Sequence, residues 1–263
     1  MIPGEEITWV IILLLVLAGF AAGWVDAVVG GGGLLQLPVL LMVPGITPVQ
    51  ALATNKLGSI FGTTTSAITY ARRVRPSMGT ALPMAFAALL ASYGGAVVAA
   101  WLPERVILPL ILAALLGVGI FTALKPDVGQ LEKLRHVGIG HLARAVCIGI
   151  IVGFYDGVLG PGTGTFLMIA LVTVLGYNFL NSSAQAKVVN MATNLGALLY
   201  FAPAGHVLIW LGLLLGAANM AGGYVGARMA ISRGSQFIRV VFLTVVFALI
   251  LKLGYDVAAD LFL

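Results

Sequence analysis

Long apolar stretches set the pattern of this chain, and short gaps rich in glycine, proline or charge punctuate it. The intervals 7–25, 27–55, 76–103, 106–124, 157–186 and 188–227 contain no Asp, Glu, Lys or Arg. Each reaches the roughly 18 residues expected of a membrane-crossing helix. Punctuation divides the chain into ten apolar segments: 7–28, 34–43, 48–71, 79–101, 105–124, 141–159, 165–176, 181–202, 207–228 and 237–258. All are long enough to span except the second and seventh. At 1.5 Å per residue, about ten residues cover half of a roughly 30 Å hydrocarbon core, so these two predict broken or re-entrant helices. The expected fold is an all-α polytopic membrane protein.

Charge orients it. Arg72, Arg73 and Arg75 share one gap, Lys125, Lys133, Arg135 and Arg144 the next, and Arg228, Arg233 and Arg239 a third, while the opposing gaps hold Arg105 or nothing. If all ten segments cross, the three basic gaps fall on one side, cytoplasmic by the positive-inside rule, with both termini outside the cytoplasmic (inner) membrane. If the short segments return to their starting side, the Arg228 gap moves outside; ten crossings is the preferred reading. The acidic start Met-Ile-Pro-Gly-Glu-Glu is unlike a secretory signal, so the first segment reads as retained. Trp9, Trp101 and Trp210, near segment ends, suit an interfacial aromatic belt.

Composition agrees. Of 263 residues, 60% are hydrophobic and 9% charged, against about 25% charged in soluble domains. A soluble enzyme is excluded, and so is nucleic acid as a partner, because the net charge of +5 sits in gaps rather than on one face. Cys147 stands alone, which removes any internal disulfide or thiolate metal site and predicts a small core residue.

The chain resembles itself. At an offset of 130, Gly23, Asp26, Val28, Gly30 and Gly32 fall on Gly153, Asp156, Val158, Gly160 and Gly162. After one inserted residue, Ala53, Lys56, Tyr93 and Gly95 fall on Ala184, Lys187, Tyr224 and Gly226. A rival register sets Ala53-Thr54-Asn55 on Ala192-Thr193-Asn194 but misaligns the lysines. Five segments per half make the halves opposite in orientation: 1–124 is the first inverted repeat, 125–140 a cytoplasmic linker and 141–263 the second. Inverted repeats are the sequence signature of secondary transporters that bind substrate near the midplane.

Lys56 and Lys187 lie inside apolar helices that are expected to start at Thr47-Pro48 and Asn181. A mid-helix lysine costs about 2.5 to 3.5 kcal/mol on insertion scales. Lys56, Ser59 and Thr63 share one helical face, as do Lys187, Asn190 and Asn194, which implies a polar cavity. Snorkelling lysines, or structural pairing with Asp26 and Asp156, would explain the same residues.

Before each lysine helix lies a break, Gly30-Gly31-Gly32-Gly33 and Gly160-Pro161-Gly162-Thr163-Gly164. The short helices beyond expose unpaired N–H groups, which makes Gly31, Gly32, Gly33, Gly162, Thr163 and Gly164 candidate anion donors. Asp26 and Asp156, just ahead of the breaks, are candidate coupling or gating groups, or caps of the broken backbone. Gly94, Gly95, Gly222, Gly223 and Gly226 suit close helix packing. No Gly-Lys-Ser or Gly-Lys-Thr follows either break, the serines lack a Gly-x-Ser-x-Gly setting, and His136, His141 and His206 lack metal-ligand spacing and read as surface histidines. The expectation is neither an enzyme nor a holder of metal or cofactor.

The runs Gly-Trp-Val-Asp-Ala-Val-Val-Gly-Gly-Gly-Gly with Pro38, Ala53-Thr54-Asn55-Lys56, and Gly-Phe-Tyr-Asp-Gly-Val-Leu-Gly-Pro-Gly-Thr-Gly with Lys187 and Asn194 resemble the TauE/SafE sulfite exporter family over nearly the whole chain. The resemblance implies an inner-membrane permease for sulfite, organosulfonates or related sulfur anions, driven by an ion gradient. The second break departs from symmetry through Pro161, Thr163 and Thr165, so the half-sites need not contribute equally.

Three readings follow. In the first, a secondary transporter neutralises a small anion with Lys56 and Lys187, hydrogen-bonds it with Ser59, Thr63, Asn190 and Asn194, and couples it to a proton or sodium ion. The second makes these residues line an anion channel, or an uptake permease for a related oxyanion. The third, a membrane scaffold or intramembrane enzyme, would show large soluble loops, a triad or a metal set. Small-residue faces permit a homodimer without requiring it.

Overall fold

In a computed structural model, residues 9–103, 106, 110, 132–135 and 137–262 are described. The amino-terminal acidic stretch, most of segment 105–124, most of the linker, and His136 lie outside them. The described elements are helical: α1 Trp9–Val29, α2 Gly32–Leu41, α3 Pro48–Arg73, α4 Met78–Trp101, α5 Gly138–Val158, α6 Thr163–Ala170 with a wider π turn at Leu171–Leu175, α7 Phe179–Phe201, and α8 Ile209–Phe262. α8 bends at Gly234 (φ 72°), in the gap expected between the last two segments.

Four stretches are both long and apolar enough to cross a bilayer: Ile11–Val29, Met78–Trp101, Gly138–Val158 and Ile209–Ile238. α3 and α7, with 26 and 23 residues, have the length but carry the polar stripes. Their neighbours explain why this is tolerated: α3 packs on α7 and α8, and α7 on α4, so that apolar helices screen the polar ones. The protein is therefore a polytopic membrane protein whose most polar helices lie at its centre.

Capping sets where these helices begin. Thr47 caps α3 in a reciprocal box with Gln50, ahead of Pro48. Asn178 caps α7 by accepting from the Asn181 N–H at 2.8 Å, so this helix starts a few residues before the expected Asn181. Each lysine then lies nine residues beyond its cap, since 56 − 47 and 187 − 178 are both nine.

Small residues bring helices into backbone contact. Gly149, Gly153 and Gly157 of α5 press on Met84, Ala88 and Ser92 of α4, while Gly19 and Gly23 of α1 press on Leu215 and Asn219 of α8. Gly95, Gly222, Gly223 and Gly226 pack as expected, against Phe154, Phe20, Gly62 and Trp24, but Gly94 faces open space.

The ends of the elements sort into two groups. Ile11 at the start of α1, Leu40 and Val43 at the end of α2, Leu102 after α4, Phe201 ending α7 and Leu211 opening α8 meet in one apolar cluster. Trp9, Trp101 and Trp210, all strongly exposed, mark the same end. At the other end, Arg72, Arg73 and Arg228 line one cavity, which brings two of the basic gaps together. The Lys133 and Arg135 N–H groups donate to the Gly176 and Leu175 carbonyls. α1 and α2 thus begin and finish at the tryptophan end, whereas α5 begins beside the turn that finishes α6.

Two expectations fail, in opposite directions: an apolar helix flank can face lipid, and a polar residue beside a gap can be buried by polar partners. Cys147 is exposed on the outer face of α5, where lipid rather than core receives it. His141, read as a surface histidine, is buried, its Nε2 lying 3.1 Å from the Tyr177 hydroxyl and 3.3 Å from Thr80 Oγ1.

Candidate functional site

The two breaks meet at the centre. Gly30 (φ 82°) ends α1 and lies against Gly164 backbone to backbone, with room for no side chain on either. The Thr165 N–H donates to the Gly30 carbonyl at 3.2 Å, and its hydroxyl to the Val29 carbonyl at 2.9 Å. A helix leaves its last carbonyls unpaired. In α1 they are taken up by side chains: Tyr70 donates to Ala27, Ser183 to Val28 and Lys187 to Asp26. The first break is consequently closed by protein groups.

The lysines cross over. Lys56 Nζ lies 2.7 Å from Asp156 Oδ2, and Lys187 Nζ lies 2.9 Å from Asp26 Oδ2. Lys56 of α3 pairs with the carboxylate near the end of α5 and Lys187 of α7 with the one near the end of α1, each at the carbonyl end of a helix, where a cation is favoured. Both ammonium groups are buried, 2% and 1% exposed. Pairing offsets the cost of placing them there, and removing one partner of such a pair costs about 3 to 5 kcal/mol.

The pairs differ in their surroundings. The Thr163 hydroxyl lies within donating distance of Asp156 Oδ1 (2.6 Å) and the Gly160 carbonyl (2.7 Å), and Tyr155 donates to the Pro161 carbonyl at 2.5 Å. At the corresponding place in the first break stands Gly33, which offers no hydroxyl. Gly160 (φ 88°) lies directly beneath Lys56: a Cβ there would come 2.8 Å from Nζ.

Beside Lys56 is a small polar cavity of about 20 Å³, space for one water. Of the residues expected at a site, Lys56, Ser59, Asn190, Asn194, Gly33, Gly162, Thr163, Gly164, Asp26 and Asp156 line it. Lys187, Gly31 and Gly32 do not. Lys187 points to Asp26, Gly31 lies near Leu34 and Val25, and Gly32 packs on Ala22. Thr63 also stands off the cavity, joined to it through Asn194 Nδ2 at 3.5 Å. Sequence reasoning missed Gly30, Asn55 and Gly160 as lining residues. Asn55 Oδ1 is buried without a hydrogen-bond partner, and its neighbour Lys56 was the available signal. Gly32 and Gly33 open α2 and Gly164 stands in the first turn of α6, where backbone N–H groups have no partner within the helix.

A paired lysine, amide side chains and free N–H groups suit an anion that replaces a carboxylate at the ammonium. The chain matches the family described as "Sulfite exporter TauE/SafE" over residues 15–253. It belongs to that family. Similar TauE/SafE relatives include "Probable membrane transporter protein ORF9" of Sinorhizobium sp, 34% identical over 96% of this chain and 95% of the relative. "Probable membrane transporter protein YfcA" of Escherichia coli K12 is 33% identical over 89% of this chain and 86% of its own. "Probable membrane transporter protein YdhB" of Bacillus subtilis is 25% identical over 83% and 88%. No solved structure matches the chain.

Proposed function

We propose that this chain is a secondary transporter that exports a small sulfur-containing anion, sulfite or an organosulfonate, across the cytoplasmic membrane by alternating access. The family description and the relatives' printed names supply the class. The observation that carries the site is Lys56, buried and held by Asp156 at 2.7 Å on a polar cavity. The anion displaces the carboxylate from the lysine, Asn190, Asn194, Asn55 and Ser59 hydrogen-bond its oxygens, and the glycine N–H groups complete the shell. The released Asp156 then takes up a coupling cation. Lys187 and Asp26 form the matching device on the other side, opened when the halves rock.

The inverted-repeat reading, 1–124 against 141–263 across the linker 125–140, has support in the contacts. Under the offsets of 130 and 131, Gly19 on Leu215 maps to Gly149 on Met84, Gly23 on Asn219 to Gly153 on Ala88, and Trp24 under Gly226 to Phe154 under Gly95. Lys56 with Asp156 likewise maps to Lys187 with Asp26. An open channel is disfavoured, because the cavity holds about one water and an oxyanion enters only if the helices move.

Proteoliposomes test the proposal. Purified protein is expected to move sulfite or sulfoacetate with saturation, and to accumulate it against its gradient when a proton or sodium gradient is imposed. Non-saturating flux that never exceeds equilibrium, or no flux of any sulfur anion, would overturn it.

A further inference from the structure

A basic cluster lies at the arginine end of the molecule, where α8 passes the end of α3. Arg72, Arg73 and Arg228 line an open cavity of about 550 Å³, with Tyr224, Met229 and Ile231 as its apolar wall. All three arginines are exposed. Among the described residues, the ion pairs are those of Lys56 and Lys187, so no described carboxylate neutralises any of these arginines. Arg228 is stacked 4.9 Å over the Tyr224 ring, which fixes its position on the rim. The hydroxyls of Thr69 and Ser232 donate to the carbonyls of Thr65 (2.7 Å) and Met229 (3.1 Å), which leaves the guanidinium groups as the donors facing the cavity.

Exposed arginines at a helix end ordinarily meet water. Here the wall decides otherwise. Tyr224 and the adjacent Val225 are 44% and 40% exposed on a membrane helix, so the groove opens sideways toward lipid, with charge at its rim and hydrocarbon along its side. We propose that it holds one anionic phospholipid, its phosphate among Arg72, Arg73 and Arg228 and an acyl chain along Met229 and Ile231. Basic pockets between membrane helices bind such headgroups. A zwitterionic lipid would bring an ammonium group, and among the described residues that line the cavity there is no carboxylate to receive it. A free anion would use the arginines but leave the apolar wall bare.

Native mass spectrometry of the full chain in detergent tests this, with phosphatidylglycerol, phosphatidylcholine and glycerol 3-phosphate as probes. One tightly retained phosphatidylglycerol is expected, with neither of the other two. Arg72→Gln, Arg73→Gln and Arg228→Gln should each weaken it about fivefold, while Arg144→Gln, on an exposed part of α5, leaves it unchanged. Equal retention of phosphatidylcholine, undiminished binding in all three variants, or glycerol 3-phosphate retained as tightly as the lipid would overturn the proposal.

Discussion

Replacing Asp156 by asparagine removes one charge from the centre of the protein and almost no volume. Lys56 then stays buried at 2% exposure without its partner at 2.7 Å. Loss of one member of a buried pair costs about 3 to 5 kcal/mol, a large fraction of a typical folding free energy. If the cavity beside Lys56 is an anion site, part of that loss is recoverable. In the wild type an anion must first break the pair, whereas in the variant the ammonium is already vacant. An anion at 100 times its Kd restores about 2.7 kcal/mol by mass action. The assay is thermal unfolding in detergent with sulfite, thiosulfate, sulfate, sulfoacetate, taurine, chloride and phosphate. Asp156→Asn should melt well below wild type without anion, and the favoured sulfur anion should raise its melting temperature more than it raises that of wild type. Transport by the variant should fall, because no carboxylate returns to release the anion. A variant as stable as wild type, or one that responds less to every anion, would refute the reasoning.

Lys56→Ala should abolish the anion-induced rise in melting temperature, while Lys187→Ala, off the cavity, should lower stability yet keep a response in the same assay. Gly160→Ala adds a Cβ about 2.8 Å from Lys56 Nζ at a φ of 88°, so flux in proteoliposomes should be lost even where the purified variant remains folded. Thr163→Val deprives Asp156 of its 2.6 Å hydroxyl and should cost about 1 to 3 kcal/mol, read as a lower melting temperature, whereas Thr163→Ser should restore it.

Sequence alone made the segments legible because glycine, proline and charge are rare enough here to mark boundaries. The expected 79–101 is found at Met78–Trp101, and the two short segments at Gly32–Leu41 and Thr163–Leu175. Lysines in apolar helices carry a cost that must be offset, so Lys56 and Lys187 stood out before any geometry was known. The rest depended on which helix crosses which. Nothing local reveals that Lys56 meets Asp156 rather than Asp26, and that choice leaves Lys187 off the cavity. Asn55 was hidden because a polar residue one step from a stripe points elsewhere on an isolated helix. Cys147 shows the difficulty for burial, since hydrophobic flanks mean interior in water but not in lipid, and His141 the converse, since a polar residue beside a gap is buried when tertiary partners such as Tyr177 and Thr80 receive it.

The contact of Gly30 with Gly164 bears on leakage. A carrier that opened to both sides at once would short-circuit the gradient that drives it. The end of α1 and the start of α6 share a point of backbone contact, fastened by Thr165 to the carbonyls of Val29 and Gly30. Under the proposed alternating access, whatever swings the end of α1 outward draws on the fastening that holds α6, so two gates built on these breaks would behave as an interlock: one could yield only while the other bears against it.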